Sequence, residues 1–200
     1  GSQPLKHGAD MSVSSATKAI DGHGRVMGGV LAGSEELMTQ VAVYCNSCGL
    51  AMSPFNAWQL LSGVETRSLR MEKQFANALK IAQGLQAQPQ VQAVYYTGLP
   101  DHPQAELIRK QQNGGGIVVG FEGADTDAAW KVVDSVELCS RTANLGDVRS
   151  TITHPWTTTH GRMQPEEKLA ANIRPGLVRL SVGLEYVDDL IDDLKQALAR

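Results

Sequence analysis

The chain has 200 residues, of which 42% are hydrophobic and 20% are charged, and its formal net charge is −3. This composition is typical of a globular protein with one large domain or two small ones. A chain without a basic excess is not expected to bind nucleic acid. No apolar run reaches the ~20 residues that span a bilayer, so we expect no membrane partner. The N-terminus shows no secretory signal, and we expect a cytoplasmic protein.

The cysteines are Cys45, Cys48 and Cys139, an odd number that does not suggest a disulfide framework. Cys45 and Cys48 have the C-x-x-C spacing of redox and zinc sites. A closed zinc site needs about four ligands, and no second pair of Cys or His residues completes one. A redox pair usually precedes a helix, whereas this pair follows a predicted helix at 35–44. We therefore interpret the spacing as coincidental and expect no metal site.

Reactive side chains are concentrated in residues 11–29. A β-prone run from Met11 to Ala16 leads to Lys18, which lies among hydroxyl residues and before several glycines: Ser14, Ser15, Thr17, Gly22, Gly24, Gly28 and Gly29. A lysine amine forms a Schiff base with an aldehyde, hydroxyls donate hydrogen bonds to phosphate, and glycines let the backbone approach a ligand. These chemistries match pyridoxal phosphate, an aldehyde that carries a phosphate. The alternative is a surface lysine followed by a turn at Asp21-Gly22.

Apolar periodicity, N-caps and Gly or Pro breaks predict the remaining elements. Strands are expected at 26–33, 91–97, 117–122, 137–141, 150–154 and 177–182. Helices are expected at 35–44, from Ser53 to a break near Gly63, and at 65–86, 103–108, 125–136, 165–172 and 184–198. The helix from Ser53 has an apolar face of Phe55, Trp58, Leu61 and Val64. The long helix has apolar residues at Leu69, Phe75, Leu79, Ile81 and Leu85.

Arg179 lies inside a predicted strand, Leu177-Val178-Arg179-Leu180-Ser181-Val182. Alternation along the strand places Arg179 on the face opposite Val178 and Leu180. An arginine in a mostly apolar strand is costly unless it meets an anion. It is therefore either an edge-strand residue paired with a carboxylate such as Glu185, or a bidentate clamp for a substrate carboxylate.

Several motifs stand in a fixed order along essentially the whole chain. They are Ser-Ala-Thr-Lys-x-x-x-Gly-His (15–23), Ser-Pro-Phe-Asn-Ala-Trp (53–58), Glu-Thr-x-x-Leu-Arg-Met (65–71), Ala-Asn-Leu-Gly-Asp (143–147), Thr-His-Pro (153–155), Thr-Thr-His-Gly-Arg (158–162) and Leu-Val-Arg-Leu-Ser-Val-Gly-Leu-Glu (177–185). Together they resemble the pyridoxal-phosphate enzymes of cysteine and methionine metabolism. That family includes cystathionine γ-synthase, cystathionine lyases, methionine γ-lyase and the homoserine-ester sulfhydrylases. The motifs at 143–148 and 159–162 look most like the O-succinylhomoserine sulfhydrylase branch.

The resemblance implies an α/β fold that forms the C-terminal half of a fold-type-I pyridoxal-phosphate enzyme. Residues 1–64 would end the large cofactor domain, and residues 65–200 would form a linking helix and a small α+β domain. The implied reaction is γ-replacement on an activated homoserine ester by a sulfur nucleophile. Cystathionine γ-synthase or methionine γ-lyase activity is the alternative within the family.

Roles follow at the matching positions. Lys18 looks like the Schiff-base lysine, which also moves protons at the substrate α and β carbons. Ser15 and Thr17 look like ligands of the cofactor phosphate. Arg179 looks like the clamp for the substrate carboxylate, with Asn144 beside that carboxylate and Thr159 in the same neighbourhood.

The chain lacks the motifs that the family carries before its lysine. These include the aspartate on the pyridine nitrogen, the ring-stacking aromatic, the glycine-rich phosphate loop, and a tyrosine and arginine from a neighbouring subunit. Ala19 follows the lysine where the family usually has tyrosine, and Trp156 stands where a small residue is usual. We therefore expect either part of an enzyme that needs its other half, in a homo-oligomer, or an inactive fragment that binds a partner.

Overall fold

The structure is a computed structural model that describes residues 2–200. The strands are β1 (Met11–Ser15), β2 (Gly29–Gly33), β3 (Ala93–Tyr95), β4 (Val118–Glu122), β5 (Ser140–Arg141), β6 (Thr151–Thr153) and β7 (Leu177–Ser181). The helices are α1 (Glu35–Cys48), α2 (Pro54–Glu65), α3 (Arg67–Gln86), α4 (Ala105–Gln111), α5 (Thr126–Ser135), α6 (Pro165–Ala170) and α7 (Val187–Ala199). A 3₁₀ turn at Pro4–His7 precedes β1, and a π-helical turn at Ala16–Ile20 follows it.

β1 and β2 form an antiparallel ribbon of two strands, in which Met11 lies opposite Gly33 and Ser15 lies opposite Gly29. The strand predicted at 26–33 therefore covers only Gly29–Gly33. Both faces of the ribbon are largely open to solvent, and the Val13 side chain is 75% exposed. A ribbon of two strands has little stability of its own, because it buries little apolar surface.

The second sheet has five strands in the order β3-β4-β7-β6-β5. All neighbouring pairs are antiparallel except β5 and β6, which are parallel. One face of this sheet packs against α3, α5 and α7. Leu180 on β7 and Leu190 on α7 are fully buried there. Each such side chain stabilises the fold by about 1.5–3 kcal/mol relative to exposure.

β7 lies between β4 and β6, so the prediction that Arg179 could be an edge-strand arginine is wrong. The proposed partner, Glu185, instead accepts hydrogen bonds from the backbone N–H and the hydroxyl of Ser150, at 2.6 and 2.9 Å. Arg179 thus lies in the middle of the sheet, on the face away from the helices.

The apolar face predicted for α2 exists but is not buried. Phe55, Trp58 and Leu61 are each about 60% exposed, while Leu60 and Gly63 form the buried face. Gly63 does not break the helix, since α2 continues to Glu65 and ends at Thr66. A Cβ on Gly63 would lie 2.6 Å from the carbonyl oxygens of Ile20 and Asp21. The glycine is therefore needed for close packing of α2 on the turn after Lys18.

The buried face of α3 is polar at its N-terminal end, which the apolar pattern did not predict. Leu69 is 69% exposed, whereas Arg70, Gln74 and Asn77 are almost fully buried. Ile81 and Leu85 continue the same face into the core. Polar side chains in such positions need hydrogen-bond partners, because burial of an unsatisfied polar group is costly.

Helix α1 is longer than predicted and carries the Cys45–Cys48 pair. α1 extends to Cys48, beyond the end predicted at 44, and stops at Gly49, which has a left-handed backbone conformation. Cys45 and Cys48 lie in the last turn of this helix as free thiols. Within residues 2–200, no helix combines the length and the apolar character that crossing a bilayer requires.

Candidate active site

Lys18 lies in the π-helical turn that follows β1. Its backbone (φ −87°, ψ −126°) departs from helical values, so the chain kinks at the lysine. Ala16, two residues earlier, is fully buried against Val26 and Leu60 and anchors the turn. The Lys18 side chain is half-buried, and its Nζ donates a hydrogen bond of 3.0 Å to Oδ1 of Asn144. The structure thus brings together two predicted site residues that are 126 positions apart.

Asp21 stabilises the C-terminal end of this turn. Its fully buried carboxylate accepts hydrogen bonds from the backbone N–H and the guanidinium of Arg25, at 2.8–3.0 Å, and from the backbone N–H of His23 at 3.3 Å. Burial raises the pKa of Asp21, but the hydrogen bonds from Arg25 and His23 outweigh it and hold the pKa below its usual value. The carboxylate is thus committed to Arg25 and His23.

Arg70 on α3 holds the same turn from the other side. Its guanidinium donates hydrogen bonds to the carbonyl oxygens of Ala19 (3.1 Å), Ile20 (3.2 Å) and Gly63 (2.6 Å). The side chain is 4% exposed, and burial lowers the pKa of its guanidinium. An arginine remains protonated in such surroundings. The backbone directly after Lys18 is therefore fixed to α2 and α3 by one buried cation.

The buried polar face of α3 also reaches the opposite wall of the site. The Gln74 Nε2 group donates hydrogen bonds of 2.8 Å to the carbonyl oxygens of Asp147 and Val182. Asn77 donates to the carbonyl oxygens of Gly183 and Glu185, at 3.2 and 3.1 Å. One helix face thus connects the Lys18 turn, the loop after Asn144 and the segment after β7.

Arg179 extends from β7 towards the loop at 143–147. Its Nη2 donates a hydrogen bond of 2.7 Å to the carbonyl oxygen of Ala143, while its buried Nε has no partner within residues 2–200. Burial lowers the pKa of the guanidinium. The Ala143-Asn144 dipeptide therefore links the Arg179 and Lys18 side chains. A buried N–H without a partner is costly, so this donor is suited to an anionic ligand.

A cavity of about 590 Å³ opens beside Arg179 on the sheet face away from the helices. Its lining includes Tyr95, Gly120, His160, Arg174, Leu177 and Arg179. Tyr95, Gly120 and Arg179 lie opposite one another on β3, β4 and β7. The cavity therefore follows the row of side chains that contains the predicted carboxylate clamp.

The other predicted site residues are placed less centrally. Ser15 is exposed, and its hydroxyl makes no hydrogen bond in the described part of the chain. The Thr17 hydroxyl accepts a hydrogen bond from the backbone N–H of Gly28 at 2.9 Å and lies 3.3 Å from its carbonyl oxygen. Thr159 is exposed and bonds to Nδ1 of His160 at 2.9 Å. Among the predicted site residues in the described part of the chain, Lys18 bonds directly to Asn144, and Arg179 bonds to the neighbouring residue, Ala143.

The side chains of Lys18 and Ser15 fit one side of pyridoxal phosphate. The Lys18 amine is half-buried, and the Ser15 hydroxyl, three residues earlier in the chain, is exposed and accessible to a phosphate. The nearest aspartate in sequence after the lysine, Asp21, is fully buried and paired, and so is not available to a pyridine nitrogen. Across residues 2–200, no three His, Cys, Asp or Glu side chains come together to hold a metal ion.

Sequence reasoning missed Arg70, Gln74, His160 and Arg174. Arg70 and Gln74 interrupt the apolar pattern of α3 at helical spacing, which is a usable signal for a polar contact beneath the helix. Arg70 and His160 were each part of a motif but were given no role. Arg174 precedes its strand in a turn and carries no signal of its own.

Comparison with known proteins identifies the family. The family model for Cys/Met metabolism PLP-dependent enzymes matches residues 1–199. O-succinylhomoserine sulfhydrylase of Pseudomonas aeruginosa is 50% identical over 198 residues, which are 98% of this chain and 49% of that protein. L-methionine gamma-lyase of Porphyromonas gingivalis is 43% identical over 199 residues, which are 98% of this chain and 50% of that protein. The chain belongs to the family of PLP-dependent enzymes of cysteine and methionine metabolism.

A solved structure supports the same assignment. The crystal structure of a cystathionine gamma-lyase from Micromonospora echinospora superposes with a TM-score of 0.96 at 36% identity, covering 100% of this chain and 53% of that one. The predicted family, its cofactor class and an α/β fragment of such a fold are confirmed. The chain spans about half the length of the curated relatives it matches.

Proposed function

We propose that the chain forms the C-terminal half of an O-succinylhomoserine sulfhydrylase, a transferase step of homocysteine and methionine biosynthesis. A sulfur nucleophile would replace the succinyl group at the γ carbon of the homoserine ester. The observation that supports this most strongly is a pair of hydrogen bonds to adjacent residues, from Lys18 to Asn144 and from Arg179 to Ala143. These bonds bring an amine and a carboxylate-binding guanidinium to the same loop. The 50% identical relative supports the sulfhydrylase branch.

Lys18 would hold pyridoxal phosphate through its amine and would carry protons at the α and β carbons of the substrate. When bound, the cofactor supplies an electron sink that allows a proton to leave the α carbon. Ser15 would donate a hydrogen bond to the phosphate. Thr17 would do so if its hydroxyl turned away from Gly28, which it contacts in this structure. The kink at Lys18 directs the side chain out of the turn towards the loop at 143–147.

Arg179 would bind the substrate carboxylate through its unpartnered Nε–H, because that donor is buried and has no partner within residues 2–200. Its Nη2 bond to Ala143 keeps the guanidinium plane fixed, so less conformational entropy is lost when the substrate binds. Asn144 would shift its amide from Lys18 to the bound amino acid. Thr159 would act in the same neighbourhood by orienting His160.

Several finer statements stay predictions. The division into a cofactor domain (1–64) and a C-terminal domain (65–200), a cytoplasmic location and a homotetramer belong to them. We expect the isolated chain to show weak or no turnover, because it spans about half the length of its curated relatives. Cystathionine γ-synthase or methionine γ-lyase activity remains the alternative, and the 43% identical methionine gamma-lyase favours the latter. An inactive partner-binding fragment is the second alternative.

A two-part enzyme tests the proposal. This chain is co-expressed with the N-terminal half of the Pseudomonas aeruginosa relative, and the relative's own C-terminal half serves as the control for assembly. We expect formation of homocysteine from O-succinylhomoserine and sulfide, and loss of that activity with Lys18→Ala. Faster release of methanethiol from methionine would contradict the proposal in favour of the lyase. An assembled complex without turnover, where the control is active, would favour the inactive fragment.

A further inference from the structure

The cavity beside Arg179 is lined by more polar side chains that can donate hydrogen bonds than binding one carboxylate requires. Arg174, Arg179 and His160 all line it, and no Asp or Glu is among its lining residues in the described chain. Arg179 is the only one of the three that the proposed function uses for the α-carboxylate. Binding of the α-carboxylate does not explain why Arg174 and His160 line the cavity.

A turn places Arg174 beside the N-terminal end of β7. The Leu177 N–H donates a hydrogen bond of 3.1 Å to the Arg174 carbonyl oxygen, so the chain reverses between these residues. Arg174 therefore approaches the same cavity as Arg179, although five positions separate them in sequence. The cavity of about 590 Å³ is large enough for a ligand that extends between the two guanidinium groups.

The floor between the two arginines is apolar. Gly120 lies directly opposite Arg179 on the neighbouring strand, and Leu177 and Val118 flank it. The strand position of Gly120 would tolerate a side chain, since a Cβ there would make ordinary contacts at 3.5–3.6 Å. The glycine thus leaves open a space that a larger residue would fill. Such a floor suits methylene groups, with the charged ends of a ligand at the two arginines.

The Arg174 guanidinium has N–H donors that its ion pair does not use. Its Nη1 lies 3.7 Å from Oε2 of Glu122, a long ion pair, and the Arg174 side chain is 56% exposed. Glu122 is nearly buried and already accepts a hydrogen bond of 2.7 Å from the Tyr95 hydroxyl. A pair this long, in which the arginine is more than half exposed, contributes little stability. The guanidinium is therefore available to a second anion on its cavity side.

His160 supplies a second group on the cavity wall. Its Nδ1 bonds to the Thr159 hydroxyl at 2.9 Å, which leaves Nε2 as the ring nitrogen without a partner within residues 2–200. Thr159 thereby acts on the cavity by fixing the orientation of this ring.

We propose that Arg174, assisted by His160, binds the distal carboxylate of a substrate whose α-carboxylate is bound by Arg179. The cavity then selects a dicarboxylate, an ω-carboxyacyl ester of a hydroxy amino acid, over the corresponding acetyl ester. An extended O-succinylhomoserine separates its two carboxylates by about 10 Å from ordinary bond lengths, which suits opposite ends of one cavity. This inference rests on the proposed function, because it assigns the two ends of that reaction's substrate.

Ligand binding to the 200-residue chain tests the subsite without requiring turnover. The probes are O-succinyl-L-homoserine and O-acetyl-L-homoserine, titrated by NMR chemical-shift changes. The variants are Arg174→Met and Arg174→Lys, with Arg109→Met as a matched control on the exposed face of α4, outside the cavity. Unchanged circular dichroism confirms folding.

We expect Arg174→Met to weaken binding of the succinyl ester by about fivefold, as for a partly exposed ion pair, and to leave the acetyl ester unchanged. Arg174→Lys restores part of the difference, because a point charge replaces a bidentate group. Equal affinity of the unsubstituted chain for both esters, or binding of neither, overturns the subsite. An equal effect of Arg174→Met on both esters also overturns it.

Arg179→Met separates this inference from the proposed function. We expect it to weaken both esters, because both carry the α-carboxylate. If Arg179→Met changes the affinity for neither ester while Arg174→Met still weakens binding of the succinyl ester alone, the distal subsite is supported and the role of Arg179 is wrong. If Arg179→Met weakens binding of both esters and Arg174→Met weakens binding of neither, the role of Arg179 is supported and the distal subsite is wrong.

Discussion

Arg70 donates a hydrogen bond of 3.1 Å to the carbonyl oxygen of Ala19, the residue that follows Lys18. Its other bonds reach Ile20 and Gly63, so one side chain of α3 fixes the backbone at the C-terminal side of the lysine. The same helix face holds the segments beside Asn144 and Arg179 through Gln74 and Asn77. α3 therefore sets the positions of both walls of the site.

Arg70→Met should destabilise the chain by about 3 kcal/mol. The methionine fills part of the space but leaves the buried carbonyl oxygens of Ala19, Ile20 and Gly63 without their donor. Urea unfolding followed by circular dichroism measures the change. Arg67→Met, an exposed position on the same helix, is the control and should change stability little. A loss of less than 1 kcal/mol with Arg70→Met would mean that the hydrogen bonds of Arg70 contribute little to stability.

Gly146→Ala should be more destabilising than Gly116→Ala. Both glycines have positive φ, +84° and +83°, so alanine strains the backbone at each by a similar amount. A Cβ at Gly146 would lie 2.7 Å from the Ala19 backbone nitrogen, whereas one at Gly116 meets nothing within 4 Å. We expect an extra loss of about 1–3 kcal/mol at Gly146 from overpacking. Equal losses in thermal unfolding would contradict the close approach of the loop at 143–147 to the Lys18 turn.

Asp21 should make stability depend on pH in acid. Its folded pKa lies below the ordinary value of 3.8, because the Arg25 and His23 hydrogen bonds outweigh burial. A carboxyl with a lowered folded pKa stabilises the protein fully above its unfolded pKa, and this contribution is lost as the pH falls through the folded pKa. Urea unfolding between pH 6 and pH 2 should therefore show a loss below about pH 4 that Asp21→Asn removes. Asp101→Asn, at an exposed position, should leave the profile unchanged.

Cys139 should be inert while Cys48 reacts. Burial raises the pKa of the Cys139 thiol to about 12, helped by Asp193 and Glu185, so it carries almost no thiolate at neutral pH. Cys48 is exposed at the end of α1. Brief alkylation with iodoacetamide and peptide mass mapping should label Cys48 and not Cys139, until urea exposes both. Labelling of Cys139 in the native protein would show that the core around it opens.

The sequence predicted that the strands of the five-stranded sheet and its helices exist, because apolar alternation and N-caps such as Asp125 act locally. The strands predicted at 91–97 and 137–141 are shorter in the structure, at Ala93–Tyr95 and Ser140–Arg141. It could not predict that Phe55, Trp58 and Leu61 stay exposed, since periodicity marks an apolar face without saying what covers it. Arg70 was missed for a different reason. Its partners Ala19 and Ile20 lie 51 and 50 residues away, and only the tertiary fold brings them to Arg70.

The candidate site was predictable to a similar degree. Motifs identified Lys18, Asn144 and Arg179, and the structure brings them to one loop, where Lys18 bonds to Asn144 and Arg179 bonds to Ala143. The Thr17 hydroxyl could not be placed from sequence, because its bonds to Gly28 depend on the return of the chain into β2. Arg174 and His160 depend on the turn before β7 and the turn after β6, which no local pattern specifies.

Reductive trapping of pyridoxal phosphate tests the central claim, that Lys18 is the cofactor lysine. The chain is incubated with pyridoxal phosphate, reduced with borohydride, digested and mapped by mass spectrometry. Lys73 on the exposed face of α3 serves as the internal reference, and Lys18→Ala as the matched variant. We predict a yellow absorbance band that disappears on reduction, with the label on Lys18 in large excess over Lys73. Equal labelling of the lysines, or a band that persists in Lys18→Ala, would contradict the assignment.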